Sequence, residues 1–148
     1  DERLVGITPA AGFVDLFGSF VIGIGAGLVG YFGVAVLKPK LGFDDSLDAF
    51  GIHGAGGTLG ALLTGVFATS AINEVFADGD GNALPVGLLE GNIGQFFNQA
   101  AGVLITIGIA VVGTYVILKI VNATIGLRVN EEEEITGLDV SQHGELKR

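Results

Sequence analysis

The stretch FGIHGAGG (50–57) sets one imidazole, His53, among four glycines, with no formal charge between Asp48 and Glu74. An imidazole titrates near neutral pH, and in apolar surroundings it is costly unless it finds a partner or faces water. Two roles fit. It could hydrogen-bond a neighbouring helix as structural glue, or it could line a conduction path as a proton-handling group. The other chemistry-bearing patterns are weaker. Asp78, Asp80 and Asn82 open like a calcium-binding EF-hand loop. The glycine such a loop needs falls on Ala83 and its bidentate acid on Leu89, so turn chemistry is the better reading. Gly25-Ala26-Gly27-Leu28-Val29-Gly30 matches GxGxxG but lies inside an unbroken apolar run, where a nucleotide-binding strand and turn have no place. The chain has no cysteine, and one intramembrane histidine without an acid, serine or metal partner is not a catalytic set. Neither an enzyme, a metal site nor a cofactor is expected.

The elements around His53 are set by hydropathy. No Asp, Glu, Lys or Arg occurs from Leu16 to Leu37, from Ala49 to Asn73 or from Gly91 to Leu118. Each run reaches the roughly 20 residues that an α-helix needs to cross hydrocarbon. The expected fold class is all-α integral membrane, with spans at about 14–37, 49–71 and 92–125. A transmembrane region covers 1–130 and a polar tail 131–148. In the first span Gly23 and Gly27 form a GxxxG pair suited to close helix packing. Pro39 and Gly42 are expected to end that helix. Asp44, Asp45, Ser46 and Asp48 suit the cap and first turn of the second, or else a partner-binding surface. A helix starting near Ser46 puts His53 about two turns in. The third span is longer than the bilayer requires. Glu131–Glu134 reads as a solvated segment or a helix start, and nothing in the charge pattern suggests nucleic acid.

Charge also sets a direction. Lys38 and Lys40 follow the first span, and Lys119, Arg128, Lys147 and Arg148 lie at or beyond the end of the third. The connection 71–90 has no Lys or Arg but carries Glu74, Asp78, Asp80 and Glu90. The positive-inside rule then makes the 38–48 loop and the tail cytoplasmic, and the 71–90 connection and the N-terminal end external. The Asn122-Ala123-Thr124 sequon falls on the cytoplasmic side and is expected to be unused. The N-terminus, Asp1-Glu2-Arg3, lacks the basic region of a secretory signal and is expected to continue from a longer chain.

Four stretches together carry a resemblance: LVGITPAAGFVD (4–15), FDDSLDAFGIHGAGGTLGALLTGVFA (43–68), GLRVNEEEE (126–134) and GLDVSQHGE (137–145). The chain resembles the ammonium transporter (Amt/Mep/Rh) family, and more narrowly its prokaryotic Amt branch. The resemblance implies the C-terminal part of an eleven-helix fold: the exit of helix eight, then helices nine to eleven and the tail. It implies a homotrimer in the plasma membrane with one pore per subunit. His53 would be the second of the family's twin pore histidines, on a proton-relay path for ammonium or ammonia. The first histidine and the outer cation site would lie on helices absent from this chain, which the full-length chain must supply. Gly137, Leu138, Asp139, His143, Gly144 and Glu145 match the family's cytoplasmic tail motif, which contacts the adjacent subunit. Asp44, Asp45, Asp48 and the tail are candidate surface for a PII-type regulatory protein. The alternative is a truncated membrane assembly module that packs but conducts nothing.

Overall fold

Asp15 stands in extended backbone and accepts the amide of Gly18 at 2.7 Å, satisfying a donor that a helix N-terminus leaves open. In the computed structural model, which describes residues 2–42, 44–73, 75, 77, 78 and 80–144, that cap starts the first long helix. The helices are α1 (Glu2–Ile7), α2 (Leu16–Leu41), α3 (Phe50–Phe67), α4 (Ile93–Thr124), α5 (Glu131–Thr136) and α6 (Leu138–Ser141). Single 3-10 turns occur at Thr8–Ala10 and Leu88–Glu90. Among the described residues there is no strand, only isolated bridges joining Val14 to Ala68 and Ala77 to Ala83. The helices α2, α3 and α4 are each long and apolar enough to cross a membrane. The chain divides into two compact units, Asp1–Thr106 and Ile107–Arg148.

In the first unit α2 buries Gly18, Ile22, Ala26, Gly30 and Gly33, positions that recur about every helical turn and form one face. Gly23 of the GxxxG pair lies off this face and has no partner helix among the described residues. A Cβ at Gly23 would meet nothing, because Gly23 lies one residue, about 100°, around the helix from Ile22. The packed face receives α1 and α3. A Cβ on Gly6 would fall on that of Ala26, and one on Gly60 would run into the Gly6 carbonyl. Gly60 therefore does not lie on an open face: a segment of the same chain, too short to register as a span, already covers it. Ala10, Val14 and Ile22 form the core, with Ile7, Leu63 and Phe67 against it.

Two helix ends also depart from expectation. Pro39 does not break α2. Gly33–Leu37 is a π-helical turn, and Lys38 donates its amide five residues back to Gly33. Proline lacks an N–H and crowds the carbonyl four residues before it. A wider turn directly upstream shifts the hydrogen-bond partners and lets the helix run to Leu41. Gly42, at φ +67°, ends it. At the far end of α3, Ala68 leaves the helix in extended backbone, and Thr69 donates its amide to the Phe13 carbonyl at 2.8 Å.

The helix α4 spans 32 residues, about 48 Å at the usual rise, and buries none of them. Near its start, Phe96 and Gln99 lie against Gly65 of α3. In the second unit the acidic run opens α5. Asn130 accepts the Glu133 amide at 2.9 Å while Glu133 reaches back to the Asn130 amide at 3.2 Å, a capping box. Arg128 pairs with Glu134, and Gln142 donates to Glu133 at 3.0 Å.

Candidate functional site

Two acidic residues, Asp45 and Asp48, shape the entry to the helix that carries His53. Asp45 accepts the amides of Ala49 and Phe50, each at 2.9 Å, and so caps the start of α3. The Phe50 amide, first among its partners, holds the Asp45 carboxyl below its ordinary value. Asp48 does not cap. Its backbone is left-handed at φ +56°, and its carboxylate takes the Lys38 ammonium at 2.5 Å, tying the end of α2 to the start of α3. Asp44 is exposed.

The first seven residues of α3, Phe50–Gly56, form a second π-helical turn. His53 lies within this opening turn and not two turns deep, because Asp45 caps Ala49 and Phe50 and so delays the helix past Ser46. The turn packs against the first π-helical segment by backbone. A Cβ on Gly33 would come within 3.0 Å of the Gly51 Cα, and one on Gly51 within 2.9 Å of Val34 Cγ2. On the other side the Phe50 ring lies over Gly54, 3.1 Å from where a Cβ would stand. A Cβ on Gly57, one α-turn beyond His53, would meet nothing. His53 itself is exposed. Its imidazole makes no hydrogen bond among the described residues. The arrangement is an exposed imidazole, unpartnered among the described residues, with open space beside Gly57 one turn on. Such a group can accept a proton on one nitrogen while donating from the other.

The tail residues lie in the second unit. Gly137, at φ +97°, links α5 to α6, which begins with Leu138 and Asp139. His143 and Gly144 follow, both exposed, and Glu145 lies outside the described residues. Asp45 and Asp48 thus fix the start of the helix that carries His53, and the described tail-motif residues, Gly137 to Gly144, lie in the second unit.

Residues 3–148 match the Ammonium Transporter Family. The chain belongs to the ammonium transporter family. It is 47% identical over 142 residues to an ammonium transporter of Bacillus subtilis, covering 96% of this chain and 33% of that protein. It is 52% identical over 142 residues to one of Aquifex aeolicus, covering 96% of this chain and 31% of the relative. Among solved structures, Saccharomyces cerevisiae Mep2 superposes with a TM-score of 0.77 at 36% identity, over 88% of this chain and 29% of Mep2. The chain therefore spans about a third of the length of these ammonium transporter relatives. Three long apolar helices without a strand among the described residues fit an integral membrane member of that family.

Sequence reasoning missed one charged group in this ammonium transporter chain. Glu90 looked like a loop charge. Its carboxylate accepts the Thr69 hydroxyl at 2.6 Å, the Val86 amide at 2.9 Å and the Ser70 amide at 3.2 Å, and these partners, Thr69 foremost, lower its pKa. No local pattern announces a carboxylate that reaches back to Thr69 and Ser70, about 20 residues upstream. By contrast, the Asp78 turn was legible. Its carboxylate accepts from the Asn82 side chain at 3.0 Å and the Asn82 amide at 2.8 Å, so its oxygens serve a turn.

Proposed function

We propose that this chain supplies the C-terminal third of a channel carrying ammonium or ammonia across the membrane, with His53 as a proton-relay group on the path. The observation that supports this is the exposed, unpartnered imidazole on a membrane-length helix whose adjacent surface is left open at Gly57. Stripping water from a cation is costly in an apolar passage. A neutral ammonia molecule avoids that cost, provided its proton travels separately through groups that both accept and donate. Imidazole does both near neutral pH. The run from Ala49 to Asn73 holds no Asp, Glu, Lys or Arg beside His53, and in this reading the relay partner comes from the rest of the subunit. In this reading three subunits assemble. The tail lies in the cytoplasm, where Gly137, Leu138, Asp139, His143, Gly144 and Glu145 contact a neighbouring subunit. Asp44, Asp45 and Asp48 offer acidic surface to a PII-type regulator.

The test is ammonium-induced current in liposomes holding the complete transporter that carries this sequence. His53→Ala is expected to abolish the current or greatly alter its proton coupling, while assembly is retained. His53→Glu keeps a titratable, hydrogen-bonding group and is expected to retain more activity. Wild-type current and wild-type discrimination against potassium in His53→Ala would make His53 packing glue.

A further inference from the structure

The two π-helical turns, Gly33–Leu37 and Phe50–Gly56, touch by backbone, and one ion pair ties their ends together. Lys38 closes the first turn, donating its amide to the Gly33 carbonyl. Its ammonium reaches the carboxylate of Asp48, ten residues on, at 2.5 Å. Both side chains are mostly withdrawn from solvent, at 29% and 32% exposure. Asp48 in turn opens the helix of His53. Its carbonyl accepts the Ile52 amide at 3.0 Å, and its own amide donates to the Asp45 carbonyl at 3.2 Å. Asp48 is also the one non-glycine at positive φ among the described residues. Aspartate tolerates left-handed backbone better than most residues, but at a cost, and such a conformation persists when its surroundings over-determine it. Here Lys38 holds the side chain while Asp45 and Ile52 hold the backbone.

We propose that Asp48 is a positioning residue for His53: its ion pair with Lys38 holds the left-handed backbone at the entry to α3 and so sets the direction in which the imidazole leaves the helix. The inference rests on the reading of His53 as a relay group. A relay needs both ring nitrogens within hydrogen-bond reach of their partners, a tolerance of a few tenths of an ångström. Gly33 and Gly51 let the two turns touch, but a contact without Cβ atoms interlocks little. The Lys38–Asp48 pair supplies the second constraint. Asp45 does not duplicate it, because its oxygens already accept the amides of Ala49 and Phe50. Every group involved belongs to this chain, whatever covers its outer faces.

Solid-state NMR of ring-nitrogen-labelled histidine tests this in the complete transporter that carries this sequence, in lipid bilayers. The His53 signals are identified by their loss in His53→Ala. Asp48→Asn keeps the shape and the tolerance of left-handed backbone but removes the charge. Lys38→Gln removes the other charge without touching the entry to α3, and serves where Asp48→Asn fails to assemble. Each should move the His53 ring signals and cut the ammonium-induced current about tenfold. Lys38→Arg keeps the pair and should preserve both. Because the two side chains act as a unit, the double variant Lys38→Gln with Asp48→Asn should fall no further than the poorer single one. Unmoved ring signals in both single variants, or losses that multiply in the double variant, would overturn the proposal. Wild-type current in His53→Ala would remove the relay reading by itself, and the ring signals would then alone decide whether Asp48 positions His53.

Discussion

Glu90 shows how much one side chain can organise. Its carboxylate joins the residues after α3 to the turn before α4 through Thr69, Ser70 and Val86. These donors favour the ionised form, so its folded pKa lies below the ordinary 4.5. A depressed pKa contributes stability that is present above the unfolded value and lost as pH falls through the folded one. The clamp should therefore hold at pH 6 and loosen below about pH 4.5. Amide exchange reports this directly. Protection factors at Ser70 and Val86, corrected for the intrinsic pH dependence of exchange, should fall on acidification, and Glu90→Gln should lower them at every pH. Equal protection at pH 6 and pH 3 would show that ionisation of Glu90 does not hold this connection. His53 stood out in the sequence because a polar residue in an apolar run has no local explanation. Asp48 carried no such mark, since an acid just before a helix reads as a cap until its backbone and its partner are known.

Among elements, close packing is by backbone. Alanine at Gly60 would push a methyl into the Gly6 carbonyl, and a backbone atom has no rotamer by which to retreat. Overpacking of this kind costs about 1–3 kcal/mol. At Gly57, where the added methyl meets nothing, alanine gains helix propensity of about 0.5–1 kcal/mol. Thermal unfolding in detergent should thus place Gly60→Ala below wild type and Gly57→Ala at or above it; the reverse order would contradict the packing described. The existence of α2, α3 and α4 was legible because uncharged length alone implies a span. Their contact faces were not. Where every face of a helix is apolar, periodicity carries no contrast, so Gly23 and Gly27 looked as suited to packing as Gly18 and Gly30. The six-residue α1 leaves no hydropathy signal of its own, although it covers Gly60.

For the whole molecule, the distribution of Lys and Arg predicts sides. Lys38 and Lys40 close α2, Arg128 follows α4, and the connection 71–90 has no basic residue. The 38–48 loop and the tail should face the cytoplasm, with the 71–90 connection outside. Single cysteines replacing Asn82 and Ser141 test this in intact cells. An impermeant thiol reagent should modify the first and spare the second, and the opposite pattern would reverse the topology. The π-helical turn at Gly33–Leu37 bears on the same layout. Each residue of an α-helix advances about 100° around the axis, so a turn that takes up one residue more than its neighbours resets the phase of everything after it. Deleting a single residue there would leave the composition of the span almost untouched, yet swing Lys38 about a quarter-turn or more away from Asp48. Angular phase, more than hydrophobicity, thus connects the end of one membrane crossing to the beginning of the next.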